Sequence, residues 1–170
     1  LVSQPILAKG KSHYYCQKEL LSKIEKQQLM PYTESLKTFF LTAVTGQRNE
    51  FEDKFVEISD ELWNLVSLKA SKSECERCKL SLSCPTNTHR KNFLSIDNDL
   101  IITNHDQLIR SVLNVTSEPP QPPMLPVDPG ILIIDEAHDF QENFLGQSEE
   151  SINIKRLQQI KAYIPKPYSK

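Results

Sequence analysis

A mainly α fold with a small α/β part is predicted by three features of this sequence. Apolar residues recur at three- and four-residue spacing through much of residues 17–70. Two short β-branched runs, Leu100–Thr103 and Ile131–Ile134, lie in the second half, and six prolines crowd residues 119–129 between them. The chain has 170 residues, 38% hydrophobic and 25% charged, with a formal net charge of -2. Such a chain is long enough for a real core, too apolar for wholesale disorder, and has no run of the roughly 20 apolar residues that span a bilayer. The near-neutral balance excludes a wholly basic nucleic-acid module but not a local basic patch.

In chain order, Leu20, Leu21, Ile24 and Leu29 give a loose helical spacing over 17–30, which Pro31 ends. Leu36, Phe39, Phe40 and Val44 repeat it over 33–45, with Gly46 as the stop. Phe51, Phe55, Ile58, Leu62, Leu65 and Val66 share one face of a helix predicted over 49–70. Its other face is acidic, with six acids and one Lys in residues 49–62, the pattern of a solvated surface. Periodicity is lost over 67–92, where three cysteines cluster. Leu100–Thr103 reads as a short buried strand and 106–113 as a helix. The Pro-rich stretch, 117–129, is an exposed loop. Gly130 opens Ile131–Ile134, whose unbroken apolar character suits a strand buried on both faces of a parallel sheet. Ile152, Ile154, Leu157 and Ile160 suggest a last helix over 152–163. Two strands do not make a stable sheet alone, so the remaining strands are expected outside this sequence. Leu1 in place of Met agrees, suggesting a piece of a longer protein, and residues 1–15 do not read as a signal peptide.

The segment Ile131-Leu132-Ile133-Ile134-Asp135-Glu136-Ala137-His138 carries the strongest chemical signal. A carboxylate just beyond the carboxyl end of a buried strand can hold Mg²⁺ beside a nucleotide's phosphates. A second carboxylate one residue later can polarise an attacking water. On this reading Asp135 holds the metal, Glu136 is the general base and His138 couples the site to a neighbouring element. The competing reading is an acidic first turn of a helix, favoured by the helix dipole. No Gly-x-x-x-x-Gly-Lys-Ser/Thr occurs among the four glycines' settings, so this sequence alone is not expected to hydrolyse ATP.

The four cysteines are Cys16, the pair Cys75-x-x-Cys78, and Cys84, which Pro85 follows. Two donor sets fit. Four thiolates can hold an iron–sulfur cluster, with Cys16 joining from a distance. Alternatively Cys75, Cys78, Cys84 and His89 make a tetrahedral zinc set, which leaves Cys16 free and would suit a non-enzymatic interaction module. Spacing does not choose between them. Charge is also uneven: residues 1–26 hold five Lys against two acids, and residues 68–92 six Lys or Arg against two Glu. Both runs flank the cysteines, so Lys9, Lys11, Arg77, Lys79, Arg90 and Lys91 are candidate phosphate contacts. Tyr14, with Tyr15 or His13 as alternatives, is a candidate for stacking on bases.

Asp135-Glu136-Ala137-His138 resembles the Walker B box of DEAH-type superfamily 2 helicases. Four cysteines ahead of such a box resemble the iron–sulfur DNA helicases related to XPD and DinG. Lys9-Gly10-Lys11-Ser12-His13-Tyr14-Tyr15-Cys16 is similar to the segment that leads into the first cysteine there, although His13 stands where Asn is usual. The long gap after Cys16 and the close grouping of the other three look like the bacterial DinG/YoaA-like branch. Asn104-His105 resembles that family's Asn-His upstream of the box, which adds both residues to the DNA-contact candidates, although Asp106-Gln107 after the pair departs from it. The resemblance implies a helical iron–sulfur domain (10–95) inserted into an incomplete RecA-like parallel-sheet motor domain (1–9 and 96–170). It implies a 4Fe-4S cluster on Cys16, Cys75, Cys78 and Cys84. It further implies ATP with Mg²⁺ at Asp135 and Glu136 in the whole protein, and 5′→3′ unwinding of single-stranded and forked DNA. The setting would be bacterial DNA repair or replication, cytoplasmic and nucleoid-associated, with protein partners from those processes and no membrane.

Overall fold

A computed structural model describes residues 5–95, 97–128 and 130–148. It is mainly helical, with one two-stranded parallel sheet among the described residues. The chain divides into two compact units, Leu1–Ile133 and Ile134–Lys170.

In the first unit, β1 (Ile6–Ala8) pairs with β2 (Ile101–Thr103) in the register Ile6↔Ile101, Leu7↔Ile102 and Ala8↔Thr103. The Thr103 hydroxyl donates to the Ala8 carbonyl at 3.0 Å and secures the end of the pair. A helical segment leaves from β1 and returns into β2, in the order α1 (Gln17–Glu25), α2 (Thr33–Thr42), α3 (Arg48–Lys54), α4 (Asp60–Val66), α5 (Lys72–Glu76) and α6 (Pro85–Lys91). After β2 comes α7 (His105–Thr116), which starts one residue earlier and ends three later than the sequence suggests; the Asn104 side chain caps its start by accepting the Gln107 N–H.

The helix expected over 49–70 is two helices. Its apolar period runs on unbroken, but local polar groups interrupt the backbone. Phe55 leaves helical geometry at φ -127° and ψ -89°. The Ser59 hydroxyl starts α4 by accepting the Leu62 N–H at 3.4 Å. Between them the Arg48 guanidinium bonds the Ile58 carbonyl, the Asp60 carboxylate and, at 2.8 Å, Glu52. Likewise α1 stops at Glu25, short of Pro31, and Gln27 takes a left-handed turn at φ +53°. Gly46 does not end α2 directly. It sits in the turn before α3 at φ +72°, where a Cβ would come within 2.3 Å of Thr86 Oγ1 and 2.9 Å of Tyr15 Cε1.

An extended segment, Tyr14–Cys16, lies between the turn at 46–47 and residues 66–68. Tyr15 N–H donates to the Gly46 carbonyl (3.0 Å), Cys16 N–H to Val66 (2.7 Å) and Leu68 N–H to Tyr14 (2.7 Å). Successive side chains on extended backbone point to opposite faces. Tyr15 therefore enters one core with Leu20, Leu36, Phe39, Phe51, Trp63 and their neighbours, and Tyr14 enters another with Ala8, Leu68, Phe93 and Leu125. Leu125 belongs to the Pro-rich stretch, so that stretch is not simply an exposed loop. The N–H groups of Met124 and Leu125 both donate to the buried Ser111 hydroxyl on α7, at 3.3 and 3.0 Å.

The predicted strand at 131–134 is not formed. Ile131 is 84% exposed and Ile133 87%, and neither has a ladder partner among the described residues. A strand exists only when a neighbour takes its N–H and C=O groups, and β-branched sequence cannot replace that neighbour. In the second unit, α8 runs over Ala137–Ser148. The helix expected over 152–163 lies outside the described residues. No described helix is long and apolar enough to cross a membrane.

Candidate metal centre and basic groove

The four cysteines reach one cavity from three different elements. Cys16 sits at the N-terminal end of α1, anchored by its N–H on Val66 and by its own carbonyl, which accepts the Leu20 N–H at 2.9 Å. Cys75 lies in α5, a short helix held at its start by a reciprocal capping box between Ser71 and Glu74. Cys78 follows in the next turn, with its N–H on the Cys75 carbonyl at 3.2 Å. Cys84 precedes α6, which Pro85 opens. All four line a cavity that encloses about 370 Å³ of empty space, part of it open to solvent.

The chemistry of this cavity fits a thiolate-held group. Burial pushes the Cys75 thiol up, and ionised Cys16, Cys84 and Cys78 would raise it further, while Arg90 opposes them. Cys75 thus lies within electrostatic reach of the other three cysteines. Burial also raises Cys84, and the nearby backbone N–H groups of Asn87, Gln17 and Thr86 oppose it. Three buried polar atoms, Tyr15 Oη, Gln17 Oε1 and Arg90 Nε, have no partner among the described residues, and all three belong to residues of the cavity wall. Orphaned buried polar atoms are costly and rare. Among the described residues no three Cys, His, Asp or Glu side chains are grouped closely enough to hold a single ion.

His89, the fourth zinc candidate, is not part of that wall. Its ring packs between Tyr14 (centroids 5.8 Å apart) and Phe93 (5.4 Å, edge-on), and its Nε2 stands 2.9 Å from the Gln47 side-chain nitrogen. Burial lowers its pKa, favouring the neutral ring.

Beside the cavity runs a groove of about 1120 Å³, open to solvent. Its wall includes Lys11, Lys72, Arg90 and Arg110 with the amides of Gln107 and Gln121, and no acidic residue. Lys11 Nζ is steadied by the Lys69 carbonyl at 2.9 Å. The other sequence-predicted DNA contacts divide. Arg77, Lys79 and Lys91 are exposed, and Lys9 holds Asn49 Oδ1 at 2.9 Å. Asn104 is occupied as the cap of α7, and His105 is that helix's first residue. Tyr14 cannot stack on a base. It is fully buried, and its hydroxyl accepts a hydrogen bond from Gln47 at 3.1 Å. The error lies in reading a Tyr beside lysines as a surface group, when its extended backbone turns it into the second core. Lys72 and Arg110 were missed as a pair. Arg110 is a lone cation on a helix, and only the pinned Pro-rich stretch makes the wall opposite it.

In the second unit, Asp135 and Glu136 lead into α8 from irregular backbone, not from a strand end. The Glu136 N–H donates to Asp135 Oδ1 at 3.0 Å. Glu136 is left-handed at φ +48°, an uncommon conformation for a non-glycine residue. His138 stands 3.4 Å from both Glu136 and Asp139 through its two ring nitrogens, and all three side chains are well exposed.

No protein-family model, curated protein or solved structure matches the chain.

Proposed function

We propose that this chain carries the iron–sulfur region, and part of the first motor domain, of an ATP-dependent DNA helicase of the DinG/YoaA-like kind. The observation that carries this reading is the convergence of Cys16, far away in sequence, with Cys75, Cys78 and Cys84 on one cavity that excludes His89. A zinc set built on His89 has no use for Cys16, whereas a four-cysteine cluster requires it.

The cluster would supply a covalent tie between α1, α5 and the turn before α6, which share only a small apolar core. The basic groove would take the phosphate backbone of a single strand, with Lys11, Lys72 and Arg110 neutralising phosphates and releasing counterions. Asp135 and Glu136 would act as Mg²⁺ ligand and general base in the whole protein, once a sheet receives Ile131–Ile134 and a phosphate loop is supplied. His138, bridging Glu136 and Asp139, would orient the general base.

Anaerobically purified protein is expected to be brown and to contain iron and acid-labile sulfide, both lost on Cys16→Ser. Colourless protein that binds one zinc and is indifferent to Cys16→Ser would overturn this reading in favour of a zinc-binding interaction module.

A further inference from the structure

Arg90 borders two different spaces. It is on the wall of the cysteine cavity and also on the wall of the basic groove. Its charge and its run of basic neighbours suggest a phosphate contact, but its surroundings differ from those of Lys11 or Arg110. Arg90 is half-buried, and its Nε is wholly buried with no acceptor among the described residues. The guanidinium lies 5.9 Å from the centre of the Tyr14 ring, and one terminal nitrogen faces Met124 Sδ at 3.9 Å. An aromatic face and a thioether are weak partners for a cation. No carboxylate pairs with it among the described residues, although a buried cation without an anion is strongly disfavoured. The groups on its cavity wall that can become anions are the four cysteines, which are deprotonated when they bind a metal.

We propose that Arg90 is the counter-charge of the four-cysteine site: a positioning residue that holds the thiolates and the group they bind, rather than a contact to a nucleic-acid strand. The proposal rests on the cluster reading given above. Four thiolates around an iron–sulfide core leave a net negative charge, and net charge and N–H···S bonds set both the retention and the potential of such a cluster. A guanidinium suits this place better than an ammonium. Its planar fork can direct Nε–H towards sulfur while its face stays on the Tyr14 ring. The geometry also explains why α6 carries the residue. Cys84 immediately precedes this helix and Arg90 lies in its last turn, so one short rigid element delivers both the ligand and the charge that balances it.

The test uses the anaerobically purified chain and three readouts: iron release to a chelator, the midpoint potential of the cluster, and the salt dependence of binding to a single-stranded oligonucleotide. Arg90→Met is expected to release iron about tenfold faster or more, the size usual for removing a partner of a metal ligand. Its potential is expected to move to more negative values, with the salt dependence unchanged. Lys11→Glu and Arg110→Glu are expected to do the reverse, lowering the salt dependence and leaving iron release at the wild-type rate. Arg90→Lys keeps the charge and loses the fork. It is expected to fall between wild type and Arg90→Met, and it carries the test if Arg90→Met does not fold. Wild-type iron release and potential in the Arg90 variants, with a weakened salt dependence, would overturn the proposal and return Arg90 to the strand. Wild-type protein without iron and sulfide would instead overturn the cluster reading itself.

Discussion

Tyr14 and Tyr15 are neighbours on one extended segment, and the regions they enter are built on different principles. Around Tyr15 the packing is aromatic and dense, although the buried Tyr15 hydroxyl has no partner among the described residues. Phe39 meets Tyr15, Phe51 and Phe55 at centroid distances of 5.3, 5.4 and 6.4 Å, and Trp63 donates its indole N–H to the Ser12 carbonyl at 2.9 Å. Around Tyr14 the buried core is five residues, with Cys16 and Cys75 packed against it. Beside it is the cavity, whose wall residues Gln17 and Arg90 each carry an unpartnered buried polar atom. Hydrophobic area and ring geometry hold the first region together. The second has few apolar contacts and borders a cavity lined by four cysteines. Packing and the candidate site are therefore separate parts of the first unit, one built on rings and the other on thiols.

The strongest challenge to this division is to remove the ring on which the first core turns. Phe39→Ala takes three aromatic contacts from a fully buried position and is expected to cost about 4 kcal/mol in urea unfolding. The frame positions Cys16, so iron content per folded molecule should fall with it. A variant that loses this stability yet retains full iron at the same denaturant concentration would show the two regions to be independent.

A smaller effect tests the seam between them. Gly46 is the point where the α2–α3 turn meets both Tyr15 and Thr86, and the Thr86 hydroxyl donates to the Tyr15 carbonyl at 2.9 Å. Gly46→Ala places a methyl group against that bond in left-handed backbone. It is expected to cost about 3 kcal/mol, combining left-handed strain with overpacking. Because Thr86 lies two residues beyond Cys84, iron retention should weaken as well as stability. A loss below about 1 kcal/mol would mean that the seam yields easily.

Much of the frame was readable because it depends on residues close in sequence. Leu36 and Phe39 are one helical turn apart and are buried together, and the strand at 101–103 declares itself by its β-branched run, although it is not buried as expected: Ile102 is 47% exposed. The cysteine set was readable because Cys-x-x-Cys with a third Cys nearby has few other uses. What escaped depends on distant partners or on single polar atoms. The break between α3 and α4 is decided by Ser59 and Arg48 against an apolar period that continues through it. The burial of Tyr14 is decided by Gln47, whose side chain also reaches the Leu7 carbonyl. The strand at 131–134 lacks a neighbour to pair with, and no pattern within four residues could reveal that. The placement of Arg90 is the sharpest case, because only the fold shows that its side chain borders both the cysteine cavity and the basic groove.

The smallest effect is a pH dependence that belongs to the frame alone. Burial by itself would raise the Glu50 carboxyl, but the Val44 and Thr45 N–H groups, the Lys54 ammonium and the Thr45 hydroxyl outweigh it and hold the pKa down to about 2, from 4.5. Its folded pKa lies below its unfolded one, so the folded state binds fewer protons and the contribution to stability is complete above about pH 4.5. It is lost as pH falls from there towards 2. The carboxyl side chain is 13% exposed but its Lys54 partner is 41% exposed, so solvent screens part of the interaction and reduces the contribution from roughly 3 to about 2 kcal/mol. Glu50→Gln should therefore be less stable than wild type by about that amount at pH 6, with the gap closing by pH 2.5. Urea unfolding of the two proteins at pH 6, 4 and 2.5 measures it. A gap that stays constant across this range would mean that Glu50 acts through shape and not charge, and the cap on the 44–46 turn would then be an ordinary polar contact.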